Sequence, residues 1–275
     1  MTRSLWLAAI LTSATVTAAW AAPTDHSFTT SDGLKLHYVE DGKGPPVILI
    51  HGYTGDADGN WVKNGIFDAL ARNHRVIAID MRGHGKSDKP HDPAMYGADR
   101  MPGDVLELMD SLKIRKAHIA GYSMGGGITG QLMARAPDRF LSASFGGSGV
   151  READKAANDA AAAQDKKCIN PNEAAASEQL RASPTRDSEA LADVQKGRTA
   201  KPSTAPPIDL TKITFPVQAV NGECDAAFSK TVRMKRELKN FQAVTLPGDQ
   251  HLTAVSDPLY RDSLVKFINA ADHHG

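Results

Sequence analysis

The amino-acid sequence predicts an α/β fold with a mostly parallel central sheet, helices on both faces and an inserted helical segment. Short apolar runs alternate with longer helical patterns along most of the chain, as a parallel sheet covered on both faces requires. One alanine-rich stretch, residues 148–207, interrupts this alternation. The chain has 275 residues, of which 41% are hydrophobic, and this suits one globular domain with a sizeable core.

The first 21 residues have the features of a secretory signal peptide. Arg3 provides a positive charge, residues 5–11 form an apolar segment, and Ala19-Trp20-Ala21 is a small-x-small cleavage site. The alternative is an uncleaved membrane anchor, but threonine and serine residues between positions 12 and 17 dilute the apolar run. We therefore expect cleavage after Ala21, export to the periplasm or the medium, and no stable membrane insertion of the processed protein.

The predicted core covers residues 22–147 and 208–275. It begins with a β-hairpin, in which strands at 28–30 and 34–39 flank the turn Ser31-Asp32-Gly33. Later runs of the buried-strand type lie at 46–50, 75–79, 117–120, 140–145, 215–220 and 243–246. Helical patterns lie at 61–72, 99–112, 124–136, 229–238 and 258–270.

Residues 148–207 are predicted to form a helical lid over the carboxyl ends of the strands. Helical patterns lie at 152–167, 172–182 and 187–196, and the segment contains no aromatic residue, histidine or methionine. With so little apolar surface, the segment cannot form a core of its own and must rest on the sheet. The alternative is a partly disordered excursion between two strands.

Charge and cysteine content restrict the expected partners. Thirty-two basic residues balance 32 acidic ones, so no net charge favours nucleic acid or an anionic membrane, and we expect the partner to be a small, roughly neutral molecule.

Cys168 and Cys224 do not have the spacing of a metal site. In an oxidising compartment a disulfide between them is one expectation, and two buried free thiols are the other.

The stretch Gly121-Tyr122-Ser123-Met124-Gly125 joins a predicted strand to a predicted helix. A G-x-S-x-G sequence in this context is typical of a serine nucleophile held in a strained turn at the top of a sheet. Glycines at both ends fit because strand and helix pass too closely there for a Cβ atom. A phosphate-binding loop shares the setting, but its characteristic glycine and lysine spacing is absent. We predict that Ser123 is a nucleophile.

A serine hydroxyl needs a general base, and the base needs an orienting acid. His251 follows the strand at 243–246, in a loop that opens at the same edge of the sheet as Ser123, and is the predicted base. Asp225 follows the strand at 215–220 at that edge and is the predicted acid. Glu223, two residues earlier, is the alternative, but its side chain is expected to point less directly toward His251. Structural roles are expected for His37 and His118, and exposed or terminal positions for histidines 26, 74, 91, 273 and 274.

Attack on an acyl carbon creates an oxyanion, which needs preorganised N–H donors. The predicted donors are the backbone amides of Met124, in the first turn after the nucleophile, and Tyr53, in the loop after the strand at 46–50. The acyl pocket is expected to be lined from the core loops by these two residues together with Trp61, Phe228 and Leu252.

Four ordered signals, the last of them a pair of motifs, resemble the α/β-hydrolase fold enzymes of the esterase, lipase and cofactor-free haloperoxidase type. "HGYTG" at 51–55 resembles the oxyanion loop of that family, "DMRGHGKSD" at 80–88 the loop after the next strand, and "GYSMGG" at 121–126 the nucleophile elbow. "GECD" at 222–225 and "GDQH" at 248–251 resemble its acid and base. The resemblance implies that His51 supports the oxyanion loop and that His84 is structural.

The resemblance implies acyl transfer to water without a metal or organic cofactor. Epoxide hydrolases and haloalkane dehalogenases of this fold use an aspartate nucleophile, whereas position 123 is serine. The few apolar residues of the lid favour short-to-medium-chain carboxylic esters as substrates. The alternatives are a C–C bond hydrolase of the meta-cleavage-product type, a lactonase or perhydrolase, and a non-catalytic binding protein of this fold.

Overall fold

The structure is a computed structural model, which describes residues 22–200, 203–204 and 206–274. The predicted signal peptide therefore lies outside the described residues. Within those residues, no helix combines the length and the apolar character needed to span a bilayer.

The described residues form one eight-stranded sheet. Its strands are β1 (Thr24–Thr29), β2 (Lys35–Asp41), β3 (Pro46–Ile50), β4 (Arg75–Ile79), β5 (Ala117–Tyr122), β6 (Phe140–Gly146), β7 (Val217–Gly222) and β8 (Phe241–Leu246). They are ordered β1-β2-β4-β3-β5-β6-β7-β8. Only the β1–β2 and β2–β4 pairs are antiparallel, and the remaining pairs are parallel. The predicted fold class, a mostly parallel sheet with an N-terminal hairpin, is confirmed.

Helices cover both faces of this sheet. They are α1 (Ile66–Ala71), α2 (Arg100–Ser111), α3 (Met124–Arg135), α4 (Lys155–Ala162), α5 (Glu173–Arg181), α6 (Ser188–Ala200), α7 (Ala227–Glu237) and α8 (Pro258–Ala271). Alternate side chains of β3 point to opposite faces, so Ile48 packs in the cluster that includes residues of α2 and α3, while Val47 and Leu49 pack with α1 and α8.

The prediction that a helix begins at residue 61 and continues to residue 72 is wrong about where the helix begins. The structure has a short π-helix, Asp58–Val62, and then α1, which begins at Ile66. Gly65 separates the two with φ of 66°, a left-handed conformation that glycine adopts without a Cβ penalty. The break matters because the π-helix directs Asn60 and Trp61 into the protein beneath the loop after β3.

The inserted segment folds into α4, α5 and α6, close to the predicted helices. Leu191 and Val194 of α6 are buried, and the carbonyl oxygen of Leu191 accepts a hydrogen bond from Tyr53 Oη at 2.6 Å. Ile169, between α4 and α5, is 89% exposed. The segment therefore rests mainly through α6 on the core; that it acts as a lid stays a prediction.

Cys168 and Cys224 form a disulfide, with their Cα atoms 5.1 Å apart. Of the two sequence expectations, the disulfide is the one present. It joins the loop between α4 and α5 to the loop after β7, which carries Asp225. The inserted segment is thereby covalently attached beside the proposed catalytic acid.

His74 was expected at an exposed position, and this prediction is wrong. The side chain is buried because Asp272, just after α8, covers it and bonds its Nε2 at 3.0 Å. Asp272 also bonds His118 Nε2 at 2.9 Å, so ligand atoms of these three residues lie within 4.8 Å of one another. The other ring nitrogen of His74, Nδ1, bonds the Leu70 carbonyl oxygen, and Nδ1 of His118 bonds Ser142 Oγ. Protein partners on every ring nitrogen favour a structural role over a metal site.

Candidate active site

Ser123 occupies a strained turn between β5 and α3. Its φ of 53° and ψ of −107° are outside the usual regions for a non-glycine residue, and its amide bonds the Gly146 carbonyl oxygen at 2.7 Å. A Cβ atom on Gly121 would lie 2.1 Å from the Gly125 carbonyl oxygen, and one on Gly125 would lie 2.1 Å from the Ile50 carbonyl oxygen. The two glycines thus allow strand and helix to meet closely enough to project the hydroxyl.

The structure brings the three residues predicted as nucleophile, base and acid into one hydrogen-bonded chain. His251 Nε2 lies 2.7 Å from Ser123 Oγ, and His251 Nδ1 lies 2.8 Å from Asp225 Oδ2. They meet because β5, β7 and β8 are parallel and their carboxyl ends lie at one edge of the sheet. This geometry can transfer the serine proton to the imidazole.

The backbone of His251 is held by Tyr122. The hydroxyl of this buried side chain donates to the His251 carbonyl oxygen at 2.5 Å. Burial raises the pKa of Tyr122 well above its ordinary value, so the hydroxyl keeps its proton and remains a donor. The strand that delivers the nucleophile therefore also fixes the loop of the base.

Asp225 has a second partner that sequence reasoning missed. Lys230 Nζ lies 2.6 Å from Asp225 Oδ1, and both side chains are largely buried. Burial lowers the pKa of Lys230, and the charge of Asp225 opposes this effect. The only sequence signal is spacing, since Lys230 comes one turn into the helix that follows Asp225.

The loop predicted to provide the Tyr53 amide is fixed by buried polar groups. Asn60 Oδ1 accepts from the Gly52 amide at 2.9 Å. His51 Nε2 accepts from the Met81 amide at 3.0 Å, so its Nδ1 carries the proton and donates to the Gly52 carbonyl oxygen at 2.7 Å. A Cβ atom on Gly52 would lie 3.4 Å from Ser123 Cβ, which shows how closely this loop approaches the nucleophile.

His84 supports the same loop from the other side. Its Nε2 lies 2.6 Å from the Tyr53 carbonyl oxygen. Burial lowers the pKa of His84, and the carbonyl oxygens of Arg82 and Tyr53 beside its two ring nitrogens oppose this effect. Both histidines thus lie against the loop after β3. The resemblance implies support of this loop for His51 and a structural role for His84.

Two cavities meet at Ser123 and Tyr53. One, here called the cationic cavity, measures about 340 Å³ and is lined also by Met124, Arg151, Arg198 and Lys230 among others. The other, here called the His251 cavity, measures about 710 Å³ and is lined by residues of α5 and of the loop around the base. The linings of the two cavities share Ser123 and Tyr53.

Three of the five residues predicted to line the acyl pocket lie in the lining of one of the two cavities. Tyr53 and Met124 line the cationic cavity, and Leu252 lines the His251 cavity. Trp61 does not line either cavity, because the π-helix places it fully inside the core. Phe228 also lines neither, since α7 directs it outward and leaves it 40% exposed.

Several residues of the site gave no sequence signal of their own. Arg198 lies near the end of α6, and Glu173 lies at the start of α5. Glu173 accepts hydrogen bonds from the amides of Leu252 and Thr253, next to the base. Both come from a charged, alanine-rich segment in which no pattern separates cavity residues from solvated ones.

Comparison with known proteins places this geometry in a family. The family model described as alpha/beta hydrolase fold matches residues 45–184. A dihydrolipoyllysine-residue acetyltransferase component of an acetoin cleaving system from Cupriavidus necator is 40% identical over 123 residues, 44% of this chain and 31% of that protein. An epoxide hydrolase from Caballeronia sordidicola is 37% identical over 111 residues, 40% of this chain and 33% of that protein.

A non-heme chloroperoxidase from Streptomyces lividans is 41% identical over 121 residues, 42% of this chain and 41% of that protein. The chain thus spans well under two thirds of the length of these curated relatives. Among solved structures, a hydrolase from Pseudomonas aeruginosa PA01 has a TM-score of 0.68 at 26% identity, covering 90% of this chain and 99% of that chain. A thermophilic esterase from Thermogutta terrifontis has a TM-score of 0.69 at 21% identity, covering 91% and 99%. The chain belongs to the alpha/beta hydrolase fold family.

Proposed function

We propose that this protein is a serine hydrolase that cleaves short-to-medium-chain carboxylic esters through an acyl-enzyme on Ser123. The observation that carries the proposal is the hydrogen-bonded chain from Ser123 Oγ through His251 to Asp225, at 2.7 Å and 2.8 Å. Such a chain activates a hydroxyl that is otherwise a poor nucleophile near neutral pH. A small molecule that fits the two cavities is the proposed partner.

In the first half of the reaction, Ser123 Oγ attacks the ester carbonyl carbon and its proton moves to His251 Nε2. The amides of Tyr53 and Met124 donate to the oxyanion, and Asp225 stabilises the imidazolium. The bond from carbon to the alcohol oxygen then breaks, and His251 gives its proton to that oxygen. The alcohol leaves, and the acyl group remains on Ser123.

In the second half, water replaces the alcohol and the same groups act again. His251 takes a proton from water, the hydroxide oxygen bonds to the acyl carbon, and the bond to Ser123 Oγ breaks. The proton returns to the serine, and the carboxylic acid leaves. These steps use only side chains, backbone amides and water.

Serine at position 123 supports acyl chemistry over epoxide opening, although an epoxide hydrolase is among the relatives. The family resemblance associates an aspartate nucleophile with epoxide opening. Lactone hydrolysis, perhydrolysis and C–C bond cleavage of ring-cleavage products use the same set of groups, so they remain the competing activities.

Steady-state kinetics on purified protein test the proposal. The substrates are p-nitrophenyl acetate, butyrate, octanoate and palmitate, with a dienone acid as the C–C cleavage substrate. We expect kcat/KM to peak at the short or medium esters and Ser123→Ala to lose nearly all activity, while Ser111→Ala, at the opposite edge of the sheet, retains it. A maximum at palmitate indicates a lipase, and preferred turnover of the dienone acid indicates a C–C hydrolase.

We further propose that the protein is exported and that its mature chain begins at Ala22. The small-x-small site before this position supports the proposal, and so does the disulfide between Cys168 and Cys224, since disulfides persist in oxidising compartments. Mass spectrometry of the protein from a periplasmic fraction tests it. An intact residue 1–21 segment in the recovered protein would overturn it.

A further inference from the structure

The two cavities at Ser123 differ in charge. The cationic cavity is lined by the side chains of Arg151, Arg198 and Lys230, and its described lining contains no acidic residue. The His251 cavity is lined instead by two carboxylates, those of Asp56 and Glu173, together with one lysine. The reacting serine therefore lies between a positive compartment and a predominantly negative one.

Among the residues that the structure describes, an acidic partner is present for one of the three cations. Lys230 is paired with Asp225 at 2.6 Å, whereas Arg151 donates to the neutral Ser229 Oγ at 2.7 Å. The guanidinium group of Arg198 forms no hydrogen bond or ion pair with any described residue, although this residue is partly buried beside Tyr53. Arginine stays charged in proteins, and none of the acidic side chains that the structure describes forms an ion pair with either guanidinium group of this cavity.

The identity of the general acid decides which part of an ester lies in which cavity. His251 must protonate the departing alcohol oxygen, and His251 lines only the larger cavity. The alcohol therefore leaves through the His251 cavity. The acyl group lies on the other side of the carbonyl carbon, in the cationic cavity, beside Met124.

We propose that the cationic cavity binds a carboxylate carried by the acyl group, so that the preferred substrates are half-esters of short dicarboxylic acids. A guanidinium group matches a carboxylate with two parallel hydrogen bonds, and Arg198 has its donors unused by the described residues. Each turnover consumes water and a half-ester anion, and it releases the alcohol, a dicarboxylate and one proton. The cavity volume of about 340 Å³ suits a short acyl chain.

This inference rests on the proposed ester hydrolysis and names its substrate class. It also differs from the expectation drawn from the sequence, which was that apolar side chains line the acyl pocket. A carboxylate placed on the alcohol part of an ester would instead face Glu173 and Asp56, where like charges disfavour it.

The test compares three esters with a common assay of alcohol release. Monoethyl glutarate carries a carboxylate on its acyl group, ethyl pentanoate is the neutral ester of equal acyl length, and the butanoate ester of 3-hydroxypropanoate carries the carboxylate on the alcohol part. We expect kcat/KM for monoethyl glutarate to exceed that for ethyl pentanoate by about 10- to 100-fold, the effect of a charge-assisted hydrogen bond. The butanoate ester should show no such gain.

Arg198→Gln should reduce the ratio of kcat/KM for monoethyl glutarate over ethyl pentanoate at least tenfold, since it removes a charge without breaking a described ion pair. The matched control is Arg115→Gln, an exposed arginine at the opposite edge of the sheet, which should leave the ratio unchanged. Thermal melts confirm that both variants are folded. A ratio that stays the same in Arg198→Gln would overturn the assignment of this residue.

Calorimetric titration with glutarate separates failure of the inference from failure of the proposed function. Glutarate binding that weakens in Arg198→Gln, with no ester hydrolysed, supports the carboxylate site and rejects the esterase. Hydrolysis of ethyl pentanoate at least as efficient as that of monoethyl glutarate rejects the carboxylate site and keeps the esterase. If glutarate does not bind and no ester is hydrolysed, both the carboxylate site and the esterase are rejected.

Discussion

Lys230 Nζ lies 2.6 Å from Asp225 Oδ1, while Oδ2 of the same carboxylate lies 2.8 Å from His251 Nδ1. The proposed catalytic acid is therefore shared between a buried ammonium group and the imidazole that it orients. A second cation near the carboxylate weakens the attraction that an imidazolium feels. We therefore expect the charge of Lys230 to affect the pH dependence of the reaction.

Lys230→Met should move the acid limb of the pH profile of kcat/KM to higher pH. The substitution removes a positive charge close to His251, so the protonated, inactive imidazolium persists to higher pH. We also expect a lower kcat, because Asp225 loses one of its two anchors. Lys235→Met, an exposed lysine of the same helix, is the control. A limb that stays in place or moves to lower pH would contradict this role of Lys230.

Asn60→Leu should lower kcat about tenfold with little change in KM. The substitution removes the acceptor of the Gly52 amide and lets the loop that carries the Tyr53 amide move away from the oxyanion. Loss of one complete donor costs about 100- to 1,000-fold in comparable sites, and a displaced donor costs less. The measurement is steady-state kinetics beside Asn73→Leu, an exposed asparagine. An increase in KM alone would mean that Asn60 serves ground-state binding.

The disulfide should contribute about 4 kcal/mol to the free energy of unfolding, from the chain-entropy model for a loop of this length. Cys168 and Cys224 are 56 positions apart. Urea unfolding of the oxidised protein and of a Cys168→Ala, Cys224→Ala double variant measures the difference. We also expect the double variant to lose activity, because the loop that carries Asp225 loses its attachment. Equal stability of the two proteins would show that the bond does not constrain the unfolded chain.

His37 should make the free energy of unfolding depend on pH above about 6.5, the unfolded value of its pKa. Burial lowers the pKa of His37, but hydrogen bonds at 2.8 Å to Asp80 and 2.6 Å to Asp25 outweigh burial and raise it. A raised folded-state pKa stabilises the protein fully below the unfolded value of about 6.5. That stabilisation is lost as pH rises through the folded-state pKa.

The free energy of unfolding of the wild type and of His37→Gln, measured across this range, checks the prediction. The difference between the two proteins should shrink as pH rises. The exposed His273→Gln is the control and should show no comparable change. A difference that is constant or grows with pH would rule out the proposed linkage.

The succession of strands along the chain and the position of the nucleophile could be predicted from local sequence. Apolar runs of strand length and glycines around Ser123 act over a few residues, because hydrophobic period and backbone freedom are local properties. Asp225 and His251 could be found for the same reason, since each follows its own strand. The rule that parallel strands end at one edge then placed them near Ser123.

Other parts of the site were decided only by the tertiary structure. Nothing near Gly65 showed that it would break a helix and bury Trp61, and the burial of His74 depends on Asp272, 198 positions away. The separation of charge between the two cavities likewise depends on how α5 and α6 rest on the sheet. In the sequence, Arg198 and Glu173 are two charges among many in one segment, because a charge acquires its role from the groups that surround it in space and from its exclusion from water.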